Sequence, residues 1–256
     1  MILSLCALPA FAEAPQALTA SEALRCQYQA AQQPFLPDLP NARRAVQSAK
    51  TLKVVALGSS ATAGAGASSE DVSYPSMLRA ELNRRLPGIE VKVLNRGIGG
   101  QSAYDMVMRM DADAIAERPA IVIWQTLATD ALRNVGEERA AKILRKGIRK
   151  VQEAGIDMVL MDLAWLPREE RYPQYDDYRG VLAKTAAELD VTVFPRHAIM
   201  RAWARSKQFS YEELVGMDGV HLVNSANRCL ATRLAEGIVA AITRDAAAPV
   251  KDAKLD

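Results

Sequence analysis

The chain of 256 residues is half hydrophobic and 24% charged, with a formal net charge of +2, which excludes intrinsic disorder and favours one α/β-type domain with a sizeable core. Its Lys and Arg residues are scattered and aromatics make up only 5%, so neither a basic nucleic-acid footprint nor a base-stacking platform is expected.

Residues 2–11 form an apolar run too short to cross a bilayer, so no stable membrane span is expected there. The run ends in Ala10-Phe11-Ala12, the small-x-small pattern that a signal peptidase reads. Residues 1–14 are therefore expected to be a signal peptide and the protein periplasmic or secreted, although no basic segment precedes the run. A buried N-terminal strand or helix is the alternative. Removal of a signal leaves Cys26 and Cys229, two candidates for one disulfide in an oxidising compartment; two unrelated thiols are the other reading. Residues 15–50 read as an N-terminal extension, with a helical stretch at 21–31 and then a passage broken by Pro34, Pro37 and Pro40.

From there the pattern is regular, and residues 51–244 read as the domain. Short apolar strands are predicted at 52–57, 91–94, 120–124, 158–161 and 191–194. Helices are predicted at 73–86, 102–116, 137–154, 175–189 and 226–243, and residues 245–256 read as a flexible tail. Five alternations of strand and helix predict a central parallel sheet of about five strands covered by helices on both faces. Trp124, in an unbroken apolar run, reads as core. In such a sheet function gathers at the carboxyl ends of strands, here the loops opening at Gly58, Asn95, Gln125 and Asp162.

The first loop, Gly58-Ser59-Ser60, continues through Gly64 and Gly66. It lacks both the Gly-Lys-Ser/Thr ending and the glycine spacing of nucleotide-binding turns, which leaves a serine exposed on a tight turn at a strand end. Near the C-terminus, Asp218-Gly219-Val220-His221 places a carboxylate three residues before an imidazole in a loop that can fold back on itself. An Asp that orients a His, which takes a proton from a serine, is the logic of nucleophilic catalysis. The second histidine, His197, has no carboxylate at a comparable spacing and reads as a core or capping residue. The glycine-rich turn Asn95-Arg96-Gly97-Ile98-Gly99-Gly100 offers backbone N–H groups for a developing oxyanion.

A strand ending in Gly-x-Ser, an Asn-x-Gly-x-x-Gly turn after the second strand and a late Asp-x-x-His together resemble the SGNH (GDSL-type) hydrolase family, over roughly residues 52–242. The resemblance implies a flavodoxin-like three-layer α/β/α sandwich and esterase, lipase, thioesterase or carbohydrate-deacetylase chemistry without a metal or other cofactor. It matches Ser60 to the nucleophile, Asp218 and His221 to its helpers, and Ser60, Gly100 and Thr129 to the oxyanion hole. Ser59 stands where the family has Asp. Leu127-Ala128-Thr129-Asp130 stands where the family has Gly-x-Asn-Asp, so Thr129 replaces an amide donor; Gln125 and Thr126 are candidates to substitute for it. Asp130 reads as a helix cap or as the family's Asp. The expected function is a serine esterase acting on ester groups, O-acetyl among them, of a small-molecule or glycan-linked substrate. A catalytically impaired binding protein for an acylated glycan and an acyltransferase with the same triad are the alternatives.

Overall fold

The computed structural model describes residues 20–26, 35–207 and 209–244, so the expected signal peptide and tail lie outside the described residues. In chain order it runs α1 (Ala20–Cys26), α2 (Pro40–Ala49), β1 (Thr51–Gly58), α3 (Ser60–Ala63), α4 (Tyr74–Arg85), β2 (Glu90–Gly97), α5 (Ala103–Asp113) and β3 (Ile121–Gln125). It continues with α6 (Ala128–Arg133), α7 (Glu137–Glu153), β4 (Asp157–Met161), α8 (Tyr175–Glu188), β5 (Thr192–Phe194), α9 (Arg196–Arg205), α10 (Tyr211–Leu214) and α11 (Asn224–Thr243).

All five strands pair in parallel, in the order β2-β1-β3-β4-β5. Every residue of β3 and β4 is buried, as expected of strands covered on both faces. Helices α2, α4 and α11 pack together on one side, and α5, α7 and α8 on the other, which gives the expected three-layer sandwich. Helix α7 shows how the layers lock. Its buried residues Ala140, Leu144, Gly147, Ile148 and Val151 recur at helical spacing, and Gly147 leaves room for the Trp124 indole, which is fully buried. The chain winds outward from β1 to β2 and then returns to β3 on the far side of β1. That reversal opens a crevice at the carboxyl ends of β1 and β3, the place where open α/β sheets bind ligands.

Within the passage read as broken by prolines, residues 35–39 are irregular as expected and Pro34 lies outside the described residues, but Pro40 behaves differently. Pro40 opens α2 instead of breaking it, since a proline at the first helical position loses no hydrogen bond. The orphan N–H groups of Asn41 and Ala42 donate to Asp157, at the start of β4, at 3.2 and 2.9 Å. Ala42 and Val46 are buried, so α2 belongs to the core of the sandwich. Helices α6, α9 and α10 were likewise not foreseen, being short or following a proline.

Helix α1 is described as far as Cys26, and the continuation of the predicted stretch to residue 31 lies outside the described residues. Cys26 and Cys229 form a disulfide, Cα atoms 5.0 Å apart, that ties α1 to α11 across 203 residues of sequence. Arg25 adds an ion pair to Glu213 at 2.8 Å and lies 4.3 Å over the ring of Phe209. Closing so long a loop removes unfolded-state entropy worth about 5 kcal/mol in the chain-entropy limit. Replacing both cysteines by serine is expected to lower the urea midpoint by a large part of that stability. An unchanged midpoint would show that the bridge contributes nothing.

Candidate active site

Strand β1 delivers its chain into α3 within a single residue, and the packing beneath that turn is tight. A side chain at Gly58 would overlap Thr62 and reach within 2.9 Å of Gln125 Oε1, so only glycine fits. Gln125, the last residue of β3, turns Oε1 under the turn, where it accepts from the Ser59 N–H, the Ser59 hydroxyl and the Thr62 hydroxyl, each at 3.1 Å. Ser60 follows as the first residue of α3, its hydroxyl at the carboxyl edge of the sheet.

His221 meets it from the other end of the chain. His221 Nε2 lies 2.7 Å from Ser60 Oγ, and Nδ1 lies 2.7 Å from Asp218 Oδ2. The second carboxylate oxygen, Asp218 Oδ1, accepts from the N–H groups of Val220 and His221 at 2.9 and 3.0 Å, so the loop folds back on its own carboxylate. Partial burial works to raise the Asp218 pKa, but the hydrogen bonds from the His221 and Val220 N–H groups and from the imidazole outweigh it and hold the carboxyl below its ordinary range. An antiparallel bridge between Val215 and Leu222 closes the base of the loop. Asn224 then pins the loop that follows α3, accepting from the Ser68 N–H at 3.0 Å and donating to the Ser68 hydroxyl at 2.8 Å.

The structure thus brings Ser60, His221 and Asp218 into one hydrogen-bonded chain. Gly100 sits in the turn between β2 and α5 with φ of +76°. Among the described residues, neither the Ser60 N–H nor the Gly100 N–H has an acceptor. Thr129 is half-buried in the first turn of α6. Gln125 and Thr126, the candidates for a substitute amide donor, are 1% and 0% exposed, and Gln125 turns its oxygen to the Ser59–Thr62 turn. His197 is buried on α9, as a core histidine is.

Three further residues support the site; Asp130 bears out its reading as a helix cap, whereas Arg109 and Arg133 had no signal in the sequence. Asp130 accepts from the Ala103 N–H at 2.8 Å and so caps α5, which the Gly100 turn leads into; burial holds its carboxyl above the usual range. Arg109, on α5, donates to the Gly58 and Arg96 carbonyls at 3.1 and 2.8 Å and to Gln101 Oε1 at 2.6 Å, joining the ends of β1 and β2 to the Gly100 turn. Arg133, one helical turn beyond Thr129, brings a guanidinium nitrogen within 3.8 Å of where a side chain on Gly100 would begin. Among the described residues no His, Cys, Asp and Glu side chains cluster in a way that could hold a metal ion, and no helix is long and apolar enough to cross a membrane.

A parallel sheet of this order, with a serine, a histidine and an aspartate joined at its carboxyl edge, defines a divergent SGNH-type hydrolase. The chain belongs to the Non-GDSL lipase-like family, whose model matches residues 25–244. No curated protein matches the sequence. Among solved structures it is similar to an acetyl xylan esterase from Geobacillus stearothermophilus, with 21% identity, a TM-score of 0.63 and coverage of 73% of this chain and 94% of that one. It is also similar to a lipase/acylhydrolase from Enterococcus faecalis (20% identity, TM-score 0.62, 73% and 95% covered). A two-domain esterase active on acetylated mannans matches at 18% identity and a TM-score of 0.67, over 86% of this chain and 58% of that one.

The contact between the two loops of the site makes a testable demand. A Cβ on Gly66, whose φ is +86°, would lie 2.8 Å from His221 Cβ and closer still to the Leu222 carbonyl. Gly66→Ala is therefore expected to displace the imidazole and cut ester turnover by roughly 10², the scale of a one-ångström misplacement. Turnover equal to wild type would show that the Gly66 contact does not hold His221.

Proposed function

We propose that the protein is a serine esterase with Ser60 as nucleophile, His221 as general base and then general acid, and Asp218 as the group that orients and stabilises the imidazolium. The reading rests on the unbroken chain from Ser60 Oγ through both imidazole nitrogens to Asp218, each link 2.7 Å. With the Asp218 carboxylate ionised, Nδ1 carries the proton and donates to it, which leaves the Nε2 lone pair to accept the Ser60 hydroxyl proton. Attack of Ser60 Oγ on the ester carbonyl forms a tetrahedral intermediate, and its oxyanion takes hydrogen bonds from the Ser60 and Gly100 N–H groups. The imidazolium returns its proton to the leaving alcohol; water, activated by the same imidazole, then releases the acid from the acyl-enzyme.

Solved structures of similar fold act on acetylated xylan and mannan, and an O-acetyl ester on a glycan is the substrate class proposed for this chain. Periplasmic or secreted location is part of the proposal; a disulfide built into the core favours an oxidising compartment. Wild-type protein is expected to hydrolyse p-nitrophenyl acetate and to be labelled by a fluorophosphonate, and Ser60→Ala to lose both. Equal rates in the two proteins would refute the esterase reading, and labelling that persists in Ser60→Ala would refute the nucleophile.

A slower enzyme is the second reading, and Thr129 is the observation behind it. One missing oxyanion donor costs about 10²–10³ in rate. Thr129→Asn is expected to raise kcat on p-nitrophenyl acetate by about tenfold or more. No gain in Thr129→Asn, but a gain in Thr129→Asn/Arg133→Ala over Arg133→Ala, would show that the Arg133 guanidinium already fills the donor's place.

A further inference from the structure

We propose that the surface running away from the Asp218 loop is a binding groove for a carboxylated polysaccharide, the chain that carries the ester. The inference rests on the esterase reading for its substrate bond and extends it to the body of the substrate. Two clefts of about 770 and 670 Å³ adjoin one another, both lined by Pro167, Tyr211 and Glu212. The second is also lined by Gly216, Met217, Asp218 and Gly219, so the pair forms one path that ends at the loop holding His221. Together they exceed the space a small ligand fills and suit several units of a polymer.

The lining has two chemical features. Trp165 and Tyr211 stack with ring centroids 5.8 Å apart and planes 23° from parallel, and Tyr211 is 57% exposed where the two clefts meet. An aromatic face with its negative quadrupole receives the C–H face of a pyranose ring, whereas a small acyl substrate alone requires no such platform. Around it stand five cations: Arg201, Arg205 and Lys207 in the first cleft, Arg168 and Arg171 in the second. None of the five has an ion-pair partner among the described residues, and among the described lining residues only Glu170 and Glu212 oppose them before Asp218 is reached. A neutral xylan or mannan gives such charges nothing to bind. Four of the five are arginines, whose planar guanidinium forks match carboxylates in pairs of parallel hydrogen bonds, which favours uronate units.

The test uses the full chain bearing Ser60→Ala, so that binding is read without turnover. In native gels cast with polygalacturonate this protein is expected to be retarded, and to be released as salt rises; gels cast with neutral acetylated mannan are expected to leave its mobility unchanged. Adding Arg201→Ala and Arg205→Ala is expected to weaken retardation about tenfold. Tyr211→Ala is expected to weaken it as well and Tyr211→Phe to preserve it, with thermal midpoints confirming that each variant is folded. Retardation by DNA equal to that by polygalacturonate and indifferent to Tyr211→Ala would reveal a general polyanion surface and overturn the glycan assignment. Equal retardation by the neutral glycan, or none by polygalacturonate, would overturn it too. Should Tyr211→Ala prove unfolded, the outcome rests on the exposed Arg201 and Arg205 positions. Hydrolysis of p-nitrophenyl acetate by wild type without polygalacturonate binding sinks the groove alone; binding without hydrolysis sinks the esterase alone.

Discussion

One buried oxygen atom organises the carboxyl edge of the sheet. Gln125 Oε1 gathers three donors from the turn that carries Ser60, and each donor left unsatisfied in that dry interior would cost about 1–3 kcal/mol. The amide orientation follows from the network, because the Ser59 N–H can only donate. The same network continues sideways. The Thr62 hydroxyl lies 3.4 Å from the Tyr74 hydroxyl, and full burial pushes the Tyr74 pKa up to about 12, so the phenol stays neutral beside it. The buried guanidinium of Arg196, whose charge acts on the Tyr74 phenol, donates from Nε to the Asp162 carbonyl at 2.9 Å, while the Asp162 carboxylate pairs with Arg179 at 3.3 Å. The ends of β1, β3 and β4 and the start of α9 are thereby fixed relative to one another before any substrate arrives. Such preorganisation is what allows a 2.7 Å contact between residues 161 positions apart to persist.

The loop after β3 departs most from the family pattern, and its backbone explains why the departure is tolerated. Leu127 occupies the family's glycine position and still adopts a left-handed conformation, with φ of +65°. For a residue with a Cβ that conformation costs about 1–2 kcal/mol, and burying a leucine side chain returns about 1.5–3 kcal/mol. Leu127 is fully buried, so packing offsets the strain and the turn keeps its course. Downstream, Asp130 still reaches the N-terminus of α5. The difference from the family pattern is local to the Thr129 side chain and leaves the scaffold around it in place.

Much of this was legible in the sequence. The strands announce themselves because β3 and β4 are buried on both faces and therefore read as unbroken apolar runs. The meeting of Ser60, His221 and Asp218 was legible because Asp218 and His221 are near neighbours in a glycine-containing loop and Ser60 follows the end of a strand. Arg109 and the acceptor role of Gln125 were not, for a common reason: each acts on a partner 51 to 66 residues away that only the folded sheet brings close, and Asp130 was legible as a cap but not as the cap of α5. Helix α2 was obscured by Pro40, which signals a break or a start with equal force until the carboxylate of Asp157 is seen capping it. The aromatic and basic lining beside Tyr211 was equally silent, since its cations come from two separate segments and look scattered along the chain.

The bridge between Cys26 and Cys229 also sets an order of events. Its two halves are separated by 203 residues, about 10–40 s of synthesis at ordinary rates. Throughout that interval Cys26 is made and its partner is not, so the emerging chain carries Cys26 without that partner until the second turn of α11 is made. Helix α11 is also the element that packs on both α2 and α4, so one face of the sheet stays uncovered for as long as the thiol stays open. Covalent closure and burial of that face become the same late step, and a chain halted before α11 has neither.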